Sequence, residues 1–316
     1  MLKPLSPITH TDNTLLTDTF KVTDIIDLYK SQLHMDVSRF FAKTKFIQLY
    51  KCLDTGYKFY YPQGLEGDGR FYEMLQDRLK DTYYHPWKFE NQLAYDHLKA
   101  GDKVLDIGCG IGNFLLRARE KTSEVYGLEL NKAAAEICRS RNLKVYNEFI
   151  EEHSFDHEGY YDMVVMFQVL EHVSDVEKFI RASLKVLKAG GKLLIGVPNS
   201  KPYFARYDKY CTLNLPPHHM GLWNVDVFYK FAKLFNISIQ KVIYDCPGRL
   251  LVHTYLRAKH LAGIKSLPGK HSFMDKVKML ITSSIAFPET VISKLRFGLN
   301  GAHIAVLFQK NLSHQL

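Results

Sequence analysis

A chain of 316 residues that is 46% hydrophobic and 24% charged has the composition of an ordinary globular protein, long enough to hide roughly 75% of the surface its unfolded form exposes. Default disorder is thereby excluded, and the five cysteines, Cys52, Cys109, Cys138, Cys211 and Cys246, are too scattered for a CxxC metal site or a disulfide framework, which favours a reducing, cytoplasmic setting. The net charge of +9 is concentrated late, with eleven Lys and Arg against three acids between Lys241 and Lys310; this reads either as a solvated basic surface or as an attractor for an acidic substrate, nucleic acid or anionic lipid.

Residues 1–75 are weakly periodic, rich in Tyr and Gly around "YKCLDTGYKFYYPQGLEGDG", and are expected to form a small N-terminal cap, followed by a helix through "RFYEMLQDRLKD". A core over 76–245 follows. From Lys103 short apolar runs alternate with amphipathic ones: "KVLDIG" is a strand, "NFLLRAREK" a helix, "EVYGLEL" a strand, "NKAAAEICRSRN" a helix, "KVYN" and "YYDMVVMFQV" two further strands. "DVEKFIRASLKVLKAGG" then predicts a helix closed by two glycines, and "KLLIGVPN" a fifth strand. Continuously apolar strands separated by helices predict a doubly wound, mostly parallel α/β sheet covered on both faces. After Asn199 the rhythm breaks in "SKPYFARYDKYCTLNLPPHHMGLW", expected to be a lid over 200–222. "NVDVFYKFAKLFN" predicts a helix and "ISIQKVIYD" a strand, while 246–300 reads as a basic helical insertion and 301–316 as a last core strand and tail. The longest late apolar stretch, Met279 to Phe287, is about half of the ~20 residues a membrane span requires, so no integral span is expected.

The chemistry starts at "VLDIGCGIGNFL". Asp106 closes the first strand, and Gly108, Gly110 and Gly112 form a turn that leads into a helix whose first N–H groups are free. Such a turn serves dinucleotides and S-adenosylmethionine alike. A dinucleotide turn requires GxGxxG, and Asn113 stands where that spacing is one residue short. Glu129, at the end of the second strand, can accept hydrogen bonds from both ribose hydroxyls of either ligand.

These residues resemble the class I S-adenosylmethionine-dependent methyltransferases. "VLDIGCGIGNFL" matches their first motif, "GLELN" the acidic one, "YDMVVMFQVLEHV" the fourth-strand one and "LKAGGKLLIGVPN" the fifth-strand hairpin, in order between Tyr84 and Asn199. The resemblance implies a seven-stranded Rossmann-like sheet and S-adenosyl-L-methionine as cofactor. It places Asp106, Gly108, Gly110 and Gly112 at the methionyl end, Glu129 on the ribose, Leu130, Phe149 and Ile150 at the adenine, and Gln168 beside the sulfonium. Leu130, Phe149 and Ile150 read equally well as plain core. In "YYHPWKFE", Tyr84 or Trp87 is expected either against the sulfonium by cation–π attraction or in the core.

Methyl transfer is an in-line displacement, so a protein mainly aligns the reactants and excludes water, and a hydroxyl acceptor must also lose a proton. His172 in "LEHV" and His218 and His219 in "PPHH" are the candidate bases, with structural packing as the alternative for each. "LEHV" and "LNLPPHHMGLW" look like segments of methyltransferases of the ubiquinone-biosynthesis O-methyltransferase type and of bacterial natural-product and glycan clusters. In the former, acids before "EH" help bind a divalent metal; Gln168 replaces one here, and the cap keeps only Cys52 of a zinc-binding cluster found in related C-methyltransferases, so no metal is expected. The expected function is O-methylation of a small-molecule or glycan-linked acceptor. N- or C-methylation, an RNA or protein acceptor, and a non-catalytic cofactor-binding role are the alternatives; no RNA-binding module and no "NPPY"-type motif are present, so nucleic acid is not the expected partner.

Overall fold

The computed structural model describes residues 3–79, 87–200, 211–245 and 301–312; the predicted insertion over 246–300, Tyr84 and residues 201–210 of the predicted lid lie outside them. The N-terminal part holds β1 (Thr14–Lys21), α1 (Val22–Leu33), β2 (Phe46–Cys52), β3 (Lys58–Tyr61) and α2 (Gly69–Leu79). The core continues through α3 (Phe89–Asp96), β4 (Val104–Ile107), α4 (Asn113–Ala118), β5 (Val125–Leu128), α5 (Lys132–Ser140), β6 (Lys144–Tyr146), α6 (Ile150–His153) and β7 (Tyr161–Phe167). It closes with α7 (Val176–Lys185), β8 (Leu187–Pro198), β9 (Gly221–Leu222), α8 (Val225–Leu234), β10 (Ile237–Tyr244) and β11 (His303–Lys310).

Seven strands form the main sheet in the order β10-β11-β8-β7-β4-β5-β6. All described pairings between β8 and β6 are parallel, and β11 alone runs against its neighbours. The strands are apolar on both faces because each face has its own core. Along β7, Val164 and Met166 pack with Ile180 of α7 and Phe228 and Phe231 of α8, whereas Met163 and Val165 pack with Leu93 of α3, Phe114 of α4 and Ala135 and Cys138 of α5. Strand alternation thus divides one sequence between two hydrophobic layers. Short side chains start the helices: Asn131 accepts from the Ala134 N–H, Asp175 from Lys178, and Asn224 from Asp226 and Val227, each occupying a donor the first helical turn leaves unpaired. The order reverses between β4 and β7, and at such a switch point the loops leaving the carboxyl ends of the strands splay apart into a crevice.

Two sequence expectations are corrected. The helix predicted through Gly191 ends at Lys185, because Leu187 already pairs with Tyr161 at the start of β8 and the ladder outweighs the helical pattern of "KVLK". The second concerns the predicted lid. Its described part, 211–222, is built into the N-terminal unit: β9 pairs with β3 as the fourth strand of an antiparallel sheet β1-β2-β3-β9. Leu215 and Met220 are buried there with Ile25, Tyr29, Phe71 and Leu75, and the Tyr29 hydroxyl donates to the Leu215 carbonyl at 2.9 Å. Apolar residues in the "LNLPPHHM" segment find a core in the cap, which fixes this segment in place.

Candidate active site

At the crevice, Gly108, Gly110 and Gly112 all have positive φ, at 71°, 55° and 80°. The conformation at Gly108 is reserved for glycine twice over, since a Cβ there would stand 2.6 Å from Cγ2 of Val169 in a region of backbone space that L side chains rarely enter. Backbone N–H groups of Gly108 and Cys109 donate to the Leu128 carbonyl at 2.8 and 3.0 Å, tying the turn to the end of β5.

Glu129 follows β5 directly. Its carboxylate accepts from the N–H of Gly110 at 2.8 Å and of Asn131 at 2.7 Å. An ionised carboxylate offers about four acceptor positions, so two remain for ribose hydroxyls while the main chain fixes its orientation. Burial holds its pKa above the usual carboxylate value against these backbone donors. Asp106, at the third position of β4, is buried with Oδ1 unpartnered; burial first, and the neighbouring charge of Glu129 second, push its pKa well up. Leu130 and Phe149 are 51% and 56% exposed, whereas Ile150 is 2% exposed within the core. The first two therefore present apolar surface to solvent, and Ile150 does not.

Trp87 takes the core-packing role that was its alternative. Its ring packs against Phe114, its Nε1–H donates to Gln92, and the guanidinium of Arg117 stands 4.3 Å from the ring centre. Its cation partner is the protein's own arginine. Gln168 leaves β7 with φ at 58°, an uncommon conformation for a non-glycine residue, and its Nε2 donates to Oε1 of Glu90 at 3.3 Å.

Beyond Val169, the short helical turn Leu170–His172 meets the loop before β9. His172 donates its Nδ1–H to the carbonyl of His218 at 2.5 Å, His218 donates its own to the carbonyl of Leu213 at 2.8 Å, and the Met220 N–H donates to the Glu171 carbonyl at 2.8 Å. The three imidazoles converge, with ring centres 4.8 Å apart for His172 and His218, 5.1 Å for His172 and His219 and 4.4 Å for His218 and His219. Burial lowers the pKa of His172 to about 4 and of His218 to about 3, and takes His219 well below its ordinary value. All three are neutral near pH 7. The structure thus gathers the three predicted bases into one group, His218 and His219 buried and His172 half-buried, contiguous through Val169 with the glycine turn.

Two acids were overlooked by sequence reasoning. Glu90 and Glu171 are buried, and each has one carboxylate oxygen without a partner; burial raises the pKa of Glu90 and pushes that of Glu171 up to about 8. A signal for Glu90 did exist, because it shares the buried face of α3 with Leu93 and Ala94, a face on which a lone charge is costly unless it is used.

A methyltransferase-domain family model matches residues 84–237. A 182-residue segment, 55% of this chain, is 31% identical to the ubiquinone biosynthesis O-methyltransferase of Escherichia coli and spans 70% of that protein. The enzyme of the same description from Pectobacterium carotovorum is 31% identical over 178 residues, 53% of this chain and 68% of its own length. Among solved structures, a SAM dependent methyltransferase from Archaeoglobus fulgidus aligns over 77% of this chain and 95% of its own, at 19% identity and a TM-score of 0.46. The chain belongs to the class I S-adenosylmethionine-dependent methyltransferases. Among the described residues, no helix is long and apolar enough to cross a membrane.

Proposed function

We propose that this protein transfers a methyl group from S-adenosylmethionine to an oxygen of a small-molecule or glycan-linked acceptor. The observation that carries the reading is the polar group of buried Glu171, His218 and His219 with half-buried His172, contiguous with the glycine turn, a setting able to receive a hydroxyl and relieve it of its proton. Relatives described as O-methyltransferases support it.

The residues at the turn fit the cofactor. Glu129 would hold the ribose, Leu130 and Phe149 would flank the adenine, and the unpartnered oxygen of Asp106 with the glycine backbone would face the methionyl end. Bound there, S-adenosylmethionine supplies an activated methyl group. Gln168, Glu90 and the histidine group would align the acceptor and keep water out, which is the main demand of an in-line displacement.

A second reading, an amine acceptor, is favoured by the unpartnered oxygens of Glu90 and Glu171, which suit a cation. The test is methyl transfer from labelled cofactor to paired panels of phenols, catechols and glycosides and of amines matched in shape, with products identified by mass spectrometry. Turnover on hydroxyl acceptors supports the first reading; turnover confined to the amines replaces it with the second.

A further inference from the structure

We propose that His172, His218 and His219 form a binding site for one divalent transition-metal ion of the zinc class, with a fourth position left open. One ligand nitrogen from each ring lies within 4.8 Å of the other two, close enough for small rotations of the rings to enclose an ion. Two of the rings have fixed tautomers. His172 and His218 each give their Nδ1–H to a main-chain carbonyl, which leaves the Nε2 lone pair of each unprotonated and free to bind. Metal-binding histidines are held in this way, the second nitrogen anchored to a carbonyl or carboxylate so that the ring is aimed and its tautomer set.

The backbone around the group is equally constrained. The N–H groups of His218 and His219 both donate to the Leu215 carbonyl, at 3.1 and 3.3 Å, and the Met220 N–H reaches Glu171, so two segments far apart in sequence present their rings together. Beside them, Oε1 of Glu171 is 3.9 Å from Nε2 of His172 while Oε2 has no partner. A buried carboxyl group with an unpartnered oxygen is costly, and a cation in the histidine group would offset that cost.

The donor set decides the chemical class. Three neutral nitrogens suit zinc, cobalt, nickel or copper and not magnesium or calcium, which require oxygen. Three protein ligands with one open position describe a site that can bind a further oxygen, as closed structural sites with four ligands cannot. Resting on the methyl-transfer reading above, the open position is where an acceptor hydroxyl would bind; with the ring nitrogens engaged, the ion in place of a histidine would lower the hydroxyl's pKa, and the proton would leave to water. The expectation of no metal rested on cysteine spacing and on Gln168, which stands where an acid would precede Glu171 and His172; the nitrogens of His218 and His219, brought in by the loop before β9, lie outside both patterns.

The test uses the full chain, stripped with a chelator and titrated with Co(II) alone. One equivalent should bind and give the visible absorption of a tetrahedral nitrogen site. His172→Ala, His218→Ala and His219→Ala should each weaken binding by at least the ~10–100-fold that loss of even an outer-shell partner costs, while binding of S-adenosylhomocysteine confirms that each variant is folded. His10→Ala, at the surface trio of His10, Asp175 and Glu177, should leave the absorption unchanged. Absence of a stoichiometric Co(II) complex in the parent protein overturns the proposal, whatever the variants do, and so does a complex indifferent to all three substitutions. The two readings fail separately: a protein that binds Co(II) but methylates no hydroxyl loses the proposed reaction and keeps the site, and one that turns over hydroxyl acceptors but forms no Co(II) complex keeps the reaction and loses the site.

Discussion

The Nδ1–H of His172 donates to the main-chain oxygen of His218 at 2.5 Å, and this bond joins the turn that leaves the central strand β7 to the loop that enters the cap strand β9. Because the acceptor is a backbone atom, His218→Ala keeps this bond and removes only the ring, whereas His172→Ala removes both. Each substitution, and His219→Ala with them, is expected to lower turnover by the ~10²–10⁴-fold that assisted proton removal contributes. Calorimetric affinity for S-adenosylhomocysteine should be retained. Near-normal turnover in all three variants would point to an acceptor that needs no deprotonation.

Glu129 should carry much of the cofactor's recognition, since a hydrogen bond to a charged group contributes ~1.5–3 kcal/mol and each ~1.4 kcal/mol is tenfold in affinity. Glu129→Ala is expected to raise the dissociation constant for S-adenosylhomocysteine about ten- to hundredfold, and NAD should not bind the parent protein. An unchanged constant would reduce Glu129 to a brace for the Gly110 and Asn131 N–H groups.

Neighbours Phe149 and Ile150 should separate function from stability. Ile150, 2% exposed, lies in the core, so Ile150→Ala should cost ~2–5 kcal/mol of stability. Phe149, 56% exposed, loses little on truncation, within about 0.5 kcal/mol, and Phe149→Ala should instead weaken the cofactor. Paired denaturation and calorimetry check both; a Phe149→Ala variant that binds normally removes this ring from the adenine site.

Asp106 predicts a pH dependence. An unfolded aspartate ionises near ~3.9, whereas burial, and then the charge of Glu129, hold the folded carboxyl well above that. Between the two values the folded state retains a proton that the unfolded state has released. Stability from this group is therefore complete below the unfolded value and is lost as pH rises toward the folded one. Asp106→Asn abolishes the loss, so the difference in melting temperature between variant and parent should shift in the variant's favour as the cofactor-free proteins are taken from about pH 4 to pH 7. A constant difference would mean that Asp106 ionises normally.

The glycine turn, the strands around it and Glu129 were legible because their signals are local. A short apolar run ending in Asp, glycines at the positive-φ positions and a carboxylate closing the next strand are each set by residues a few positions apart. That the sheet is covered on both faces followed from the same pattern, since a strand buried at every position, as β4 is, must be covered twice. Tertiary structure decided the rest, for a common reason: the deciding partners are far away in sequence. Two-residue β9 carries no strand pattern of its own and exists through pairing with Lys58 and Phe59, which makes the described part of the predicted lid, 211–222, a piece of the cap. Nothing local distinguishes Phe149 from Ile150, yet one faces solvent and the other the core. Glu90 and Gln168 meet across the crevice, and His172 meets His218 and His219, only once helix α3 and the cap are packed against the ends of the parallel strands. The sequence alone determined which cofactor class the turn can hold. Long-range packing, which brings polar side chains together where water is excluded, determined what stands opposite it.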